Sequence, residues 1–143
     1  MRAHHVQVER VFAKPPERVF SYLAEHENLA ELFGAEVTRL KDADDGSRNG
    51  VGSQRSLRIG PLPPFVETVT EFDPPHRIVY RITQGSPLRG HVGVMTFAPE
   101  GEHGTLFRYD IRLASPIPLL AALVRLSLMR SVQKGLAGVE RDA

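Results

Sequence analysis

From Ala35 to Leu113 the chain breaks into short runs with a period-two apolar pattern separated by turn signals, and it then closes with a single long helical stretch. A meander of half-buried strands needs a cover for its apolar face, and one long helix is the largest cover the chain offers. Six strands are expected near Glu36 to Leu40, Ser53 to Ile59, Phe65 to Phe72, Arg77 to Thr83, His91 to Ala98 and Thr105 to Leu113, separated by Asp-Gly, Asn-Gly, Pro-Pro and Gly-Ser turn signals. The last is the clearest. Thr105, Phe107, Tyr109, Ile111 and Leu113 share one face, and Arg108, Asp110 and Arg112 share the other.

Ahead of the meander, Val6, Val8 and Phe12 mark a first strand, although Arg10 and Val11 blur its alternation. Pro15 and Pro16 then open a short helix with Glu17 in its first turn and Val19, Phe20 and Leu23 on one face. Asn28 is placed to cap a second brief helix carrying Leu29, Leu32 and Phe33, and Gly34 to end it. At the other end, Ser115 and Pro116 read as cap and first turn of a closing helix from Ile117 to about Val139, despite Gly135 and Gly138. With 143 residues and no linker or repeat, one domain spanning 1–143 is expected.

Composition removes several function classes. Eighteen basic against seventeen acidic residues give a net charge of +1, too balanced for the positive field a nucleic acid requires. Without cysteine there is no disulfide framework, no thiolate chemistry and no Cys-type zinc site, which fits the cytoplasm. No signal-like segment is read in Met1 to Arg10. The most apolar stretch, Leu113 to Met129, is broken by Ser115, Pro116, Pro118 and Arg125, so no stable membrane insertion is expected. No HExxH or paired-carboxylate spacing, phosphate loop or GxSxG elbow occurs, so neither a metal nor a cofactor is expected, and hydrolase chemistry lacks support.

Three landmarks carry a family resemblance. Ala13, Lys14, Pro15, Pro16, Glu17, Arg18, Val19 and Phe20 resemble the signature that opens the first helix of the START-like (SRPBCC) superfamily, which includes polyketide cyclases and lipid-transport proteins. The run from Val69 to Arg81, with Glu71, Phe72, Pro74, Pro75, Arg77 and Tyr80, is similar to its central hairpin, and Gly104 to Arg108 to the start of a later strand. They occur in family order along essentially the whole chain. The resemblance implies an α+β helix-grip fold: a curved seven-stranded antiparallel sheet wrapped around a long C-terminal helix, with two short helices after the first strand. It also implies an internal cavity for an apolar small molecule such as a lipid, quinone or polyketide. Fold likeness does not choose among the chemistries of such relatives, since function resides in the site.

The expected cavity residues come from the inward faces: Arg55, Leu57, Glu67, Val69, Tyr80, His91, Met95, Phe97, Phe107 and Tyr109 from the strands, with Val124 and Leu128 from the helix. The Gly60 to Pro64 loop makes the flanking strands antiparallel, so Arg55 and Glu67 fall on one face as diagonal neighbours. They read either as a polar anchor for a ligand carbonyl or carboxylate, or as a structural ion pair, or with Arg55 reaching to the rim. Tyr80 and Tyr109 could orient a ligand hydroxyl or simply pack with their own hydroxyls satisfied. His91 is the best acid/base candidate, while Gly90 and Gly93 beside it can equally serve to bend the strand. Catalytic residues are not assigned. The alternatives to a carrier are an aromatase/cyclase or dehydratase using these side chains for proton transfer, and a protein-interaction domain using the closing helix.

On that helix Ile117, Ala121, Val124, Leu128, Val132, Leu136 and Val139 form an inward stripe. Leu119, Leu123 and Leu126 fall on the opposite side, where water is expected. Cover by the Gly60 to Pro64 loop is the first explanation, a homodimer contact the second, and membrane contact during ligand exchange the third.

Overall fold

A computed structural model describes residues 1–143. The elements run β1 (His4–Phe12), α1 (Pro16–Ala24), a 3₁₀ turn (His26–Asn28), α2 (Leu29–Phe33), β2 (Glu36–Lys41), β3 (Gln54–Arg58), β4 (Phe65–Asp73), β5 (Arg77–Gln84), β6 (Arg89–Glu100), β7 (Gly104–Ala114) and α3 (Leu120–Asp142). The strands form one sheet in the order β1-β7-β6-β5-β4-β3-β2, antiparallel throughout. Alternation in the sequence becomes alternation in burial: along β6, His91, Gly93, Met95 and Phe97 are buried, and along β7, Thr105, Phe107, Tyr109, Ile111 and Leu113.

The helices lie on that buried face. In α1, Val19, Phe20, Leu23 and Ala24 are buried, and Phe20 meets Phe97 at 5.1 Å and Phe72 at 5.3 Å between ring centroids. Phe97 continues to Phe107 at 5.3 Å, and Phe107 to Phe12 at 5.9 Å. These rings fill the end of the sheet under α1. Gly34 ends α2 with φ of 62°, which leaves glycine favoured there. Asn28 does not cap α2; its amide donates instead to the Tyr22 carbonyl at 2.9 Å.

Two helix boundaries differ from expectation, the first for a local reason. The ring of Pro118 disfavours a helical conformation for Ile117, so α3 begins at Leu120, and the Ser115 hydroxyl accepts from the Ile117 amide without capping a helix. Leu119 then enters the helix at φ of 65°. At its far end α3 continues to Asp142, three residues past the expected stop.

The glycines of α3 have a packing cause. A Cβ on Gly135 would lie 2.6 Å from the Leu32 Cα and 3.1 Å from the Glu31 carbonyl oxygen, so α2 and α3 meet at backbone distance. Gly138 faces only the Glu31 carboxylate. Here Val132, Gly135, Leu136, Gly138 and Val139 are buried. Near the other end Arg125 donates from Nε to the His5 carbonyl at 2.6 Å, tying α3 to β1.

Candidate functional site

The seam with α2 holds the second half of α3 tightly, whereas its first half is tied to the sheet at β1 and stands off the strands beyond. Val124 and Leu128 belong to the same inward stripe as Val132 and Leu136 but are only half buried, because they face open space. That space is a cavity of about 750 Å³ between the start of α3 and β3 to β7, within the range of small-molecule sites. Thirteen of its 22 bordering residues are hydrophobic, among them Phe33, Leu57, Ile59, Phe65, Ile82 and Ile111. An apolar guest is therefore the complementary one. Leu62 and Pro63 of the β3–β4 loop, Ser86 to Leu88 of the β5–β6 loop, and Leu120 and Leu123 of α3 also border it. A separate groove of about 450 Å³ between Arg2 to His5 and Arg125 is a surface crease with no buried side chain on its walls.

Apart from Ser127 and Ser131 of α3 and Ser86 at the mouth, the polar groups of the cavity wall are gathered on one patch of the sheet. Arg55 on β3 and Glu67 on β4 stand directly opposite each other, not diagonally, because the ladder registers Leu57 with Phe65 and leaves Ile59 outside it. They are 3% and 4% exposed. Arg55 places both Nε and Nη2 at 2.8 Å from the same oxygen, Oε1, with the Nε hydrogen directed at it. Its guanidinium also lies 4.7 Å from the centre of the Tyr80 ring, a cation–π contact. Arg55 is thus held on both sides behind the wall, and Glu67 borders the cavity with Oε2 accepting nothing from the protein.

Tyr80 on β5 crosses the sheet face toward β6. Its partner in register is Gly93, and a Cβ there would come within 2.5 Å of both Cε1 and the hydroxyl oxygen of Tyr80. The glycine opens the path that brings the Tyr80 ring to 5.7 Å from His91 and its hydroxyl into a buried hydrogen bond with that of Tyr109. Burial raises the pKa of both phenols, and the Glu67 charge adds to it, so they stay protonated. His91 is buried, and its ring nitrogens have no partner in the protein. Burial lowers its pKa against an opposing pull from Glu67, leaving the imidazole neutral near pH 7 with one donor and one acceptor.

Of the residues expected at the cavity, Leu57, Glu67, Tyr80, His91, Val124 and Leu128 border it. Arg55 and Tyr109 lie one layer behind, joined to Glu67 and Tyr80. Val69, Met95, Phe97 and Phe107 sit in the core, where side chains of α1 and neighbouring strands take the space a ligand would need. Phe33, Ile82, Leu88 and the two mouth loops were not anticipated; Phe33 was visible only as an apolar residue of a short helix. The Gly60 to Pro64 loop does not cover the outer leucines. Leu119, Leu123 and Leu126 are 78%, 62% and 51% exposed, because α3 starts three residues late and the loop only edges the opening beside Leu123.

A curved antiparallel sheet, a long C-terminal helix gripped at one end and an apolar cavity under its other end define a helix-grip, START-like ligand-cavity protein. A family model for polyketide cyclase / dehydrase and lipid transport matches residues 3–143, and the chain belongs to that family. Among solved structures it is similar to the Zhui aromatase/cyclase from Streptomyces sp. R1128, at 18% identity over 98% of this chain and 95% of that one, with a TM-score of 0.75. A START superfamily protein from Mycobacterium smegmatis aligns at 20% identity over 95% and 93%, with a TM-score of 0.73. A protein from Thermus thermophilus aligns at 25% identity over 96% and 95%, with a TM-score of 0.74. No curated protein matches the chain in sequence. No helix is long and apolar enough to cross a membrane.

Proposed function

We propose that the protein binds an apolar small molecule, of lipid, quinone or polyketide type, in the cavity under the first half of α3, and carries or presents it without transforming it. The supporting observation is the cavity itself: about 750 Å³, mostly hydrophobic walls, and a mouth edged by Leu62 and Leu123. Membership of a family described by both cyclase and lipid-transport activities agrees with such a guest. A native mass spectrum after mild purification tests the proposal. A retained hydrophobic adduct of small-molecule mass, released by denaturation, is expected; an unliganded chain that takes up no apolar probe would overturn it.

One observation favours a second reading, a cyclase or dehydratase. Glu67, His91 and Tyr80 reach one wall of the cavity, where proton transfer to a folded poly-β-ketone could occur. Cyclised or dehydrated product from a reactive poly-β-ketone thioester, lost in His91→Phe, would establish it over the carrier.

A further inference from the structure

We propose that the polar wall formed by Glu67, His91 and Tyr80 selects ligands that end in a neutral hydroxyl, phenolic or enolic, over ligands ending in a carboxylate, an amine or a bare carbonyl. This rests on the cavity reading above and names the chemistry of the end that goes in first.

The choice depends on which hydrogen-bonding sites remain unused. Arg55 directs its charge to Oε1 of Glu67 at 2.8 Å and to the Tyr80 ring, and it does not border the cavity. An incoming carboxylate therefore meets the Glu67 carboxylate, while Arg55, whose Nη2 has no hydrogen-bond partner of its own, stays ion-paired behind the wall and out of its reach. An ammonium fares no better: the charge of Glu67 is already matched by Arg55, and the Tyr80 ring already carries the guanidinium. Either ion would be desolvated without a counter-charge of its own, which is costly in an apolar site.

Neutral groups remain. Glu67 Oε2 is a pure acceptor, and His91, more than nine-tenths buried with no partner in the protein, offers one donor and one acceptor. The hydrogen bond between Tyr80 and Tyr109 uses one of the two phenolic protons and leaves the other. A carbonyl could accept from His91 or Tyr80 but would leave Oε2 facing an apolar guest, unsatisfied. A hydroxyl donates to Oε2 and accepts from His91 or Tyr80, so one small group satisfies both sides of the wall. Glu67 faces Ile82 on β5, and His91 lies on the same face of β6, two positions from the glycine opposite Tyr80. The three groups thus surround one patch of sheet, and the rest of the wall is mostly apolar, with Ser127 and Ser131 of α3 and Ser86 at the mouth as its other polar side chains.

The test uses 2-naphthol, 2-methoxynaphthalene and 2-naphthoate as probes, read by displacement of Nile red from the full chain. Both neutral probes should bind, with 2-naphthol favoured by about 10- to 100-fold, as expected for a hydrogen bond to a charged acceptor; 2-naphthoate should bind least. In Arg55→Met/Glu67→Leu, which removes acceptor and counter-ion together, and in His91→Phe, 2-methoxynaphthalene should still bind and the preference for the naphthol should fall. Equal binding of the two neutral probes by the unaltered protein, or an unchanged preference in both variants, would overturn the hydroxyl assignment while leaving the cavity reading intact. Failure of both neutral probes to bind the unaltered protein would overturn the cavity reading and the hydroxyl assignment together.

Discussion

The net worth of the buried Arg55–Glu67 pair differs from the cost of breaking it, and a double-mutant cycle separates the two. At charge separations near 4 Å and an effective dielectric of about 20, their attraction is about 4 kcal/mol. Taking two ions out of water costs several kcal/mol for each, so the pair contributes little net stability over apolar side chains of similar size. Removing one partner is different, since it leaves a charge at 3% or 4% exposure with no counter-ion. Arg55→Met and Glu67→Leu should therefore each lower the unfolding free energy by about 3–5 kcal/mol, whereas the double variant should lose about 1 kcal/mol or less. Urea denaturation followed by circular dichroism measures all four chains. Single variants that each lose under about 1 kcal/mol, or losses that add in the double, would show that the two side chains are not a buried pair.

The fold carries three further expected outcomes. Gly135→Ala should destabilise by about 1–3 kcal/mol despite the better helix propensity of alanine, because its methyl meets the Leu32 backbone, whereas Gly138→Ala faces a movable Glu31 side chain and should be neutral or gain up to about 1 kcal/mol; thermal melts of the two separate backbone crowding from propensity. Gly93→Ala should displace the Tyr80 ring and, in a tyrosine-resolved NMR spectrum, shift the Tyr80 and Tyr109 signals together. His26, buried with Nε2 at 2.9 Å from the Ser53 hydroxyl, has its pKa pushed down to about 3 by desolvation and by the Arg55 charge. The unfolded chain, with histidine near 6.5, thus takes up the proton first, and stability should fall as pH drops from about 6.5 toward 3, by at most about 1.4 kcal/mol per pH unit from this residue. A pH series of urea midpoints in which His26→Gln has the same slope as the unaltered protein would contradict that assignment.

The fold was legible because its signals are local and periodic. Period two runs clearly through β6 and β7, and Pro15, Pro16, Gly34 and the turn dipeptides mark the boundaries. Inward faces were legible as well, yet an inward face is not a cavity wall. Met95 and Phe97 share their face with His91, but Phe20 of α1 fills the space over Phe97. No period reports where a second element will pack. Register was off by two residues at Arg55 and Glu67, which kept the right face, because the five-residue loop permits more than one closure. Gly93 and Gly135 look like weak points in a strand and a helix; their purpose depends on Tyr80 and Leu32, which lie 13 and over 100 positions away in the chain.

The central claim is that the space under the first half of α3 is where an apolar ligand resides. Val124 projects into it from α3 and Leu57 from β3, so Val124→Trp and Leu57→Trp each fill part of it from opposite walls. Nile red titrated into the unaltered protein should give a saturable, blue-shifted emission that either tryptophan abolishes while the thermal midpoint is retained. Undiminished binding by both folded variants would place the ligand elsewhere and contradict the claim.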